Sequence, residues 1–377
     1  MHYNFDEPVI RKNTNSFKWD KFDKSVLPMW IADMDFQSPP EVQTALQQLV
    51  NHGVFGYTHE PAELIEVVID RLEKLHNWKV KKEWIVLLPG LVPGIHASTQ
   101  LLGGEFNSVM TSTPVYYPFM QAADSGPRQL QAVQFLKKGN KWAMDFDEMK
   151  AKATLDTKMY LLCNPHNPNG RVFSRTELEE LASFCLERDL LIMSDEIHCD
   201  LILDESKSHI SIASISPEIA DKTITLLAPS KTFNIAGLGC SMAVIPNLEL
   251  RNAFRKATYG ILPHPTAFAY EAALAAYKYG EEWRKELIAY LKQNHDFLLE
   301  EVNKIKGLEM LPLDATYLAW IKYEGNFEGG IEKYLASHGL GVSPGEQFAG
   351  DGFFRLNFGT QKANVEQAVE ILKKAFA

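Results

Sequence analysis

Two hydrophobic periods alternate along this chain. Compact runs of β-branched and apolar residues are followed by segments whose apolar positions return every three or four residues. The runs predict seven buried strands: Trp84–Leu88, Phe106–Thr111, Leu130–Phe135, Lys158–Cys163, Leu190–Met193, Thr223–Leu227 and Cys240–Ile245. Ahead of them lie two helical patterns. Val42, Ala45, Leu46 and Leu49 form one stripe, which stops near Gly53. Leu64, Val67, Val68, Leu72 and Leu75 form another after Pro61, with Glu63, Glu66, Asp70 and Glu73 on the wet side. Further on, Asp145–Lys152 reads as a short helix, and Ser174 with Glu177 three residues later is a capping-box signature. Strands joined by helices imply a largely parallel sheet covered on both faces.

Beyond Pro265 the pattern becomes helical. A long amphipathic segment from Glu281 to Lys306 (Trp283, Leu287, Leu291, Leu298, Val302, Ile305) stops at Gly307. The remainder alternates short strands and helices: Tyr317–Ile321, Ile331–Ser337 and Phe353–Phe358, then a closing helix from Asn364. The expected fold class is α/β. It has a large domain over 41–280 with the mostly parallel seven-stranded sheet between helices. A smaller α+β domain is made of 1–40 and 281–377.

Composition changes this picture little. With 377 residues, 46% hydrophobic and 23% charged, the chain is ordinary for a two-domain globular protein. A net charge of -10 argues against a nucleic-acid or anionic-membrane partner, which needs a basic face. Cys163, Cys185, Cys199 and Cys240 lack zinc-type spacing, so no metal site is expected and buried free thiols are the default. The start MHYNFDEPVIRKN has no apolar core of a signal peptide, and no stretch is long and apolar enough to span a bilayer. A cytoplasmic location is the expectation.

The candidate chemistry sits where the strands end, which is where open α/β sheets bind ligands. Lys231 follows Thr223–Leu227, and Asp195 follows Leu190–Met193. Asn167 lies in the turn Asn164-Pro165-His166-Asn167-Pro168-Asn169-Gly170 after Lys158–Cys163. Tyr116 follows Phe106–Thr111, and the glycine turn Pro89-Gly90-Leu91-Val92-Pro93-Gly94 follows Trp84–Leu88 and opens a helix. Taken singly, each is a common loop residue: a solvated lysine, a capping acid, a turn asparagine. Together they meet the needs of pyridoxal phosphate (PLP). That cofactor requires a lysine for a Schiff base, a carboxylate on the pyridine nitrogen, a donor to the phenolic oxygen and an anion cradle. An aromatic ring such as Tyr116 can stack on it, and a helix N-terminus after a glycine turn cradles phosphate. Asp33 and Asp35, inside the apolar run Pro28–Phe36, are either loop-capping acids or substrate-facing ones.

On these residues the chain resembles the aspartate-aminotransferase superfamily, and within it the MalY/PatB cystathionine β-lyases. The resemblance rests on PMWIADMDF (Pro28–Phe36), HGVFGYT (His52–Thr58), TPVYYPF (Thr113–Phe119), NPHNPNGRVF (Asn164–Phe173), SDEIHCDL (Ser194–Leu201), SKTFNIAGL (Ser230–Leu238) and FRLNFG (Phe354–Gly359). It implies Lys231 as the Schiff-base lysine, Asp195 on the pyridine nitrogen, Asn167 on the phenolic oxygen and Tyr116 on the ring. Backbone N–H groups of Leu91 and Val92, with the Ser230 hydroxyl, would hold the phosphate. Tyr57 would reach the phosphate of a neighbouring subunit, which implies a homodimer with shared active sites. Arg355 would clamp the substrate α-carboxylate, with Asn167 and Asp33 beside the substrate.

The departures are informative. His198 stands where many aminotransferases carry a tyrosine, and is expected beside the cofactor. Ala228 and Gly239 stand where they carry a serine and an arginine on the phosphate, and Asn169 replaces a threonine. The implied activity is α,β-elimination of an amino-acid thioether such as L-cystathionine, with Lys231 as general base and Tyr57, Tyr116 or Lys231 protonating the sulfur. Methionine biosynthesis is the implied setting. An aminotransferase is the alternative, and a regulatory binding protein on the same fold a more distant one.

Overall fold

The computed structural model describes residues 3–103, 107–124, 126 and 128–377. Its main sheet contains the seven expected strands: β1 (Ile85–Leu88), β2 (Ser108–Thr113), β3 (Gln129–Gln134), β4 (Thr157–Cys163), β5 (Leu191–Asp195), β6 (Thr223–Leu227) and β7 (Ser241–Val244). They lie in the order β1-β7-β6-β5-β4-β2-β3. β7 runs antiparallel to both β1 and β6, and the other neighbours are parallel. The carboxyl ends of β1, β2, β4, β5 and β6 therefore share one edge. Register sets Cys163 beside Asp195, and Asp195 beside Leu226.

β4, β5 and β6 are buried almost throughout, which is why they read as continuous apolar runs rather than alternating ones. The strand expected at Phe106–Thr111 begins and ends two residues later, and Phe106 lies outside the described residues. Capping follows the sequence: the Ser174 hydroxyl accepts from Glu177 N, and the Glu177 carboxylate accepts from Ser174 N. Gly53 ends the helix Pro40–His52 with φ 74°.

A second, antiparallel sheet is formed by β8 (Leu308–Met310), β9 (Leu318–Tyr323), β10 (Ser343–Pro344) and β11 (Phe353–Asn357), in the order β8-β9-β11-β10. The long helix covers Glu281–Val302, four residues shorter than its pattern. Ile305 still packs into the core, reached by a turn rather than a helix. Trp283, Leu287, Leu291, Leu298 and Val302 bury one stripe of that helix in a core shared with Met29, Met34, Phe354 and Leu372. At roughly 1.5–3 kcal/mol per buried apolar side chain, this stripe is a large share of what fixes the second sheet. All four cysteines are free and buried, as expected. Among the described residues no helix is long and apolar enough to cross a membrane.

The N-terminal residues cross between the two sheets. Leu27–Pro28 pairs in parallel with Leu340–Gly341. Asn357 Nδ2 donates to the carbonyls of Ile31 (2.5 Å) and Asp33 (2.8 Å), while Asn234 Nδ2 donates to those of Met34 (3.0 Å) and Phe36 (2.8 Å). The segment is thus tied to β11 on one side and to the loop after β6 on the other.

Asp35 anchors it from within. Its carboxylate accepts from Lys18 Nζ (2.7 Å), Trp19 Nε1 (2.7 Å) and Arg11 Nη1 (2.9 Å), and both Lys18 and Asp35 are buried. Burial alone would raise the Asp35 carboxyl; Lys18, Trp19 and Arg11 more than offset it and hold the group below its ordinary value. Its pKa being lowered on folding, the stabilisation is present above the unfolded value of about 3.9 and is lost as pH falls through the lower folded one. Asp35→Ala leaves Lys18 buried without a counter-ion and is expected to cost about 3–5 kcal/mol in urea unfolding at pH 7. The deficit should shrink as the titration is repeated below about pH 3.9.

Candidate active site

β6 delivers its lysine through a tight turn. Phe233 N donates to Pro229 O (2.9 Å) and Ile235 N to Ser230 O (3.1 Å), so residues 229–235 fold back on themselves. Lys231 Nζ emerges from this turn and donates to Ala32 O at 2.7 Å. Burial pushes its pKa down to about 8, with the Arg355 charge adding to the effect and Asp33 and Asp195 opposing it. An amine there is closer to a usable base at neutral pH than an ordinary lysine.

Asp195 ends β5, is 2% exposed, and accepts from Ile197 N at 3.0 Å through Oδ1. Burial raises its carboxyl to about 7, helped by the neighbouring Glu196 charge; the Ile197 N–H and Lys231 pull the other way. Asn167 sits in the turn after β4, held by its backbone N–H on Cys163 Sγ (3.4 Å) and its carbonyl on Tyr116 N (3.0 Å). Its Oδ1 accepts from Arg355 Nη1 (3.0 Å), so the amide NH2 is the donor it can offer a ligand.

Arg355 comes from β11. It is 4% exposed, donates from Nη2 to Trp30 O (3.0 Å), and lies 4.6 Å over the Phe348 ring. Burial lowers its pKa to about 10. Among the described residues no carboxylate pairs with it, and its Nε has no hydrogen-bond partner.

These groups line one cavity of about 230 Å³, together with Gly90, Leu91, Val92, Tyr116, His198 and Ser230. Its floor at the β1 end is the start of the helix Leu91–Gln100, whose first N–H groups carry the positive end of the helix dipole. Gly94 lets that helix press on the sheet, since a Cβ there would lie 3.1 Å from Leu226 and Leu88. Gly239 has φ +66°, and a Cβ would fall 2.7 Å from Pro89 O. A side chain at that position would have to push Pro89 O, a backbone atom, aside. His198 lies in the wall with its ring edge-on to Tyr317 and, among the described residues, no hydrogen-bond partner for Nδ1. Burial, with Lys231 and Arg355 nearby, lowers its pKa to about 3, so the imidazole is neutral.

Tyr57, expected at a neighbouring subunit's phosphate, and Asp33, expected beside the substrate, lie outside this cavity. Tyr57 is fully exposed, in a separate surface groove with Phe55, His264 and Phe268. Asp33 does not line the cavity: Arg11 Nη1 and Nη2 hold its two carboxylate oxygens at 2.9 and 2.8 Å, and only its charge is felt at Lys231. Of the two readings of that acid, anchoring is the one the geometry shows. Sequence reasoning missed that the same segment reaches the site by its backbone. The carbonyl of Ala32 meets Lys231 and Tyr317, and that of Trp30 meets Arg355 and Ser343. The unusual run Pro28–Phe36 marked the segment, but nothing in it says that carbonyls, not carboxylates, face inward.

A lysine, a buried acid free of any ion pair among the described residues, an amide donor, an aromatic ring and a neutral anion cradle around one cavity fit pyridoxal phosphate. The fold and these groups define a PLP-dependent enzyme. The chain belongs to the family of class I and II aminotransferases, whose model matches residues 24–372. It is 36% identical to the cystathionine β-lyase PatB of Bacillus subtilis (strain 168), over 99% of this chain and 100% of that one. The crystal structure of OvoB superposes with TM-score 0.96 at 41% identity, covering 100% of this chain and 99% of the other. Cystalysin from Treponema denticola, solved with pyridoxal 5'-phosphate, superposes with TM-score 0.95 at 31% identity over 100% and 99%.

The cradle yields a test. Gly239→Ala forces a left-handed backbone on a residue with a Cβ, at about 1–2 kcal/mol, and pushes it into Pro89 O. PLP affinity of the apoenzyme, followed by fluorescence quenching, should fall roughly tenfold, with an unchanged far-ultraviolet circular dichroism spectrum.

Proposed function

We propose that the protein is a carbon–sulfur β-lyase, which eliminates a thiol from an amino acid bearing sulfur on its β-carbon and releases pyruvate and ammonia. The observation that carries this is the buried Arg355 guanidinium, without a carboxylate partner among the described residues, in the same cavity wall as Lys231. A planar two-pronged donor in a dry cavity suits an α-carboxylate. Binding there would set the substrate's Cα where the Lys231 amine can remove its proton, and an amine near 8 is poised for that at neutral pH. The cofactor supplies an electron sink for the carbanion at Cα. Asp195 holds the ring nitrogen's proton, Asn167 donates to the phenolic oxygen, and Tyr116 covers the ring face. His198, as a neutral imidazole, offers its unpartnered Nδ1 to the same ligand. Leu91 N–H, Val92 N–H and Ser230 hold the phosphate. The Cα electron pair forms the Cα=Cβ double bond as the Cβ–S pair leaves with sulfur, which takes a proton from Lys231, Tyr116 or Tyr57 to become the thiol, and water converts the remaining enamine to pyruvate and ammonia. L-Cystathionine, giving homocysteine, is the substrate the likeness to PatB supports.

A second copy of the chain completes this reading. Tyr57 is exposed beside Val54 and Phe55, with Tyr259 and Ile261 also exposed, an aromatic surface of the kind subunits bury. We assign the protein as a homodimer in which Tyr57 reaches the phosphate of the other subunit. Asp33 acts on the substrate side only through its charge.

The wild-type holoenzyme should release pyruvate from L-cystathionine in lactate dehydrogenase-coupled assays without any 2-oxo acid. Pyruvate formation that requires such an acceptor would instead make it an aminotransferase. Lys231→Ala should still take up PLP but retain none covalently after borohydride, and should show no elimination. Arg355→Lys, which keeps the charge and loses the planar fork, should lower kcat/KM by roughly 10- to 100-fold, equivalent to about 1.5–3 kcal/mol, chiefly through KM.

A further inference from the structure

Asp195 is followed at once by a second buried acid. Glu196 is 1% exposed, and three donors converge on its carboxylate: Ser194 Oγ (2.9 Å) and Ser211 Oγ (3.0 Å) on Oε1, and His209 Nε2 (2.8 Å) on Oε2. Acceptor-only capacity of this kind is what a carboxylate offers to converging donors. Two adjacent buried anions disfavour one another, and an uncompensated buried carboxylate is costly. Among the described residues the one ion pair Glu196 makes is with His209, whose side chain is equally buried.

We propose that His209 is the counter-charge of Glu196, and that by partly offsetting it His209 favours the ionised form of the neighbouring Asp195 for the cofactor's ring nitrogen. His209 is then a positioning residue in the electrostatic sense: it touches neither cofactor nor substrate and acts through Glu196. Among the described residues the other ring nitrogen of His209, Nδ1, is buried without a hydrogen-bond partner, so the Glu196 contact is the imidazole's one polar anchor. His76, at the end of the helix Ala62–His76, meets the His209 ring edge-on with centroids 5.1 Å apart. The His76 Nε2 faces Asp200 Oδ1 at 3.3 Å, and Arg71 holds Asp200 Oδ2 at 3.0 Å. Cys199 lies between Glu196 and Asp200, and Asp195 itself faces Lys231 and Cys163. Asp200 is thus committed to Arg71 and His76, which leaves Glu196 as the acid His209 serves.

The inference rests on PLP binding and not on the lyase reading, so its test does not use turnover. PLP affinity of the apoenzyme is measured by fluorescence quenching from pH 6 to 9 for the wild type, His209→Gln, Glu196→Gln and the double variant, each checked for folding by circular dichroism. His209→Gln keeps a hydrogen-bond donor and removes the charge. Glu196 then bears on Asp195 alone, and affinity at pH 7.5 should fall about tenfold for each unit by which the Asp195 carboxyl rises. Glu196→Gln removes the like charge, so the acidic limb of the affinity profile should move to lower pH. The double variant should recover to within about twofold of wild type, which loss of packing at either position would not produce. Affinity in His209→Gln within about twofold of wild type, or a double variant as weak as His209→Gln, overturns the proposal. Should His209→Gln not fold, an acidic limb that stays in place in Glu196→Gln overturns it equally.

Discussion

The structure is arranged around charges it buries but does not pair. Lys231, Asp195 and Arg355 line one cavity, and among the described residues none of them forms an ion pair with a protein side chain. The consequences show in each group: the amine and the guanidinium are pushed down and the carboxyl up, and in every case burial is the leading cause. Isolated buried charges destabilise a fold. On the proposed function they would be compensated by ligands: the cofactor's aldehyde and ring nitrogen at Lys231 and Asp195, and the substrate's carboxylate at Arg355. Perturbation of this kind clusters at functional sites.

Holding such groups apart requires rigid supports from distant parts of the chain. Asp195 is fixed by a central strand, Lys231 by the turn after the next one, and Arg355 by a strand of the other sheet. The N-terminal segment is what keeps the two sheets in register at the cavity. Its carbonyls at Trp30 and Ala32 receive Arg355 and Lys231, giving each cation a dipole to rest on without neutralising it. The charges that this segment does neutralise, Lys18 with Asp35 and Arg11 with both acids, are kept off the cavity wall. Pairing fixes the strap, and unpaired charge makes the site.

Much of this was legible in the sequence, for a physical reason. Strands buried on both faces leave continuous apolar runs, so β4, β5 and β6 announced themselves, and the residues that follow them had to lie on one edge. Asn167, Asp195 and Lys231 could be placed together on that ground alone. Less was legible where backbone does the work. The role of the Ala32 carbonyl leaves no mark on residue identity, and Asp33, the conspicuous acid in the same run, faces Arg11. Helix ends were legible only where a cap marks them. Ser174 and Gly53 ended or began helices as read, whereas the long helix stopped at Val302 while its apolar stripe ran on to Ile305.

The anion cradle shows how a missing residue can be as constrained as a present one. A side chain at Gly239 would strain its left-handed backbone and have to push the Pro89 carbonyl aside. On the proposed function the phosphate would be met by backbone N–H groups and a helix dipole rather than by a guanidinium. Dipoles hold an anion without adding net charge to the cavity. A further cation there would act on Lys231 in the same direction as Arg355 already does, lowering its pKa beyond what burial imposes. With the cradle neutral, Arg355 is the one guanidinium in the cavity wall among the described residues, and a substrate carboxylate would have a single site of that kind to choose. On the proposed function the glycine would thus separate two anion-binding tasks, one for the cofactor by dipoles and one for the substrate by charge, and the orientation of the substrate over the lysine would follow from that separation.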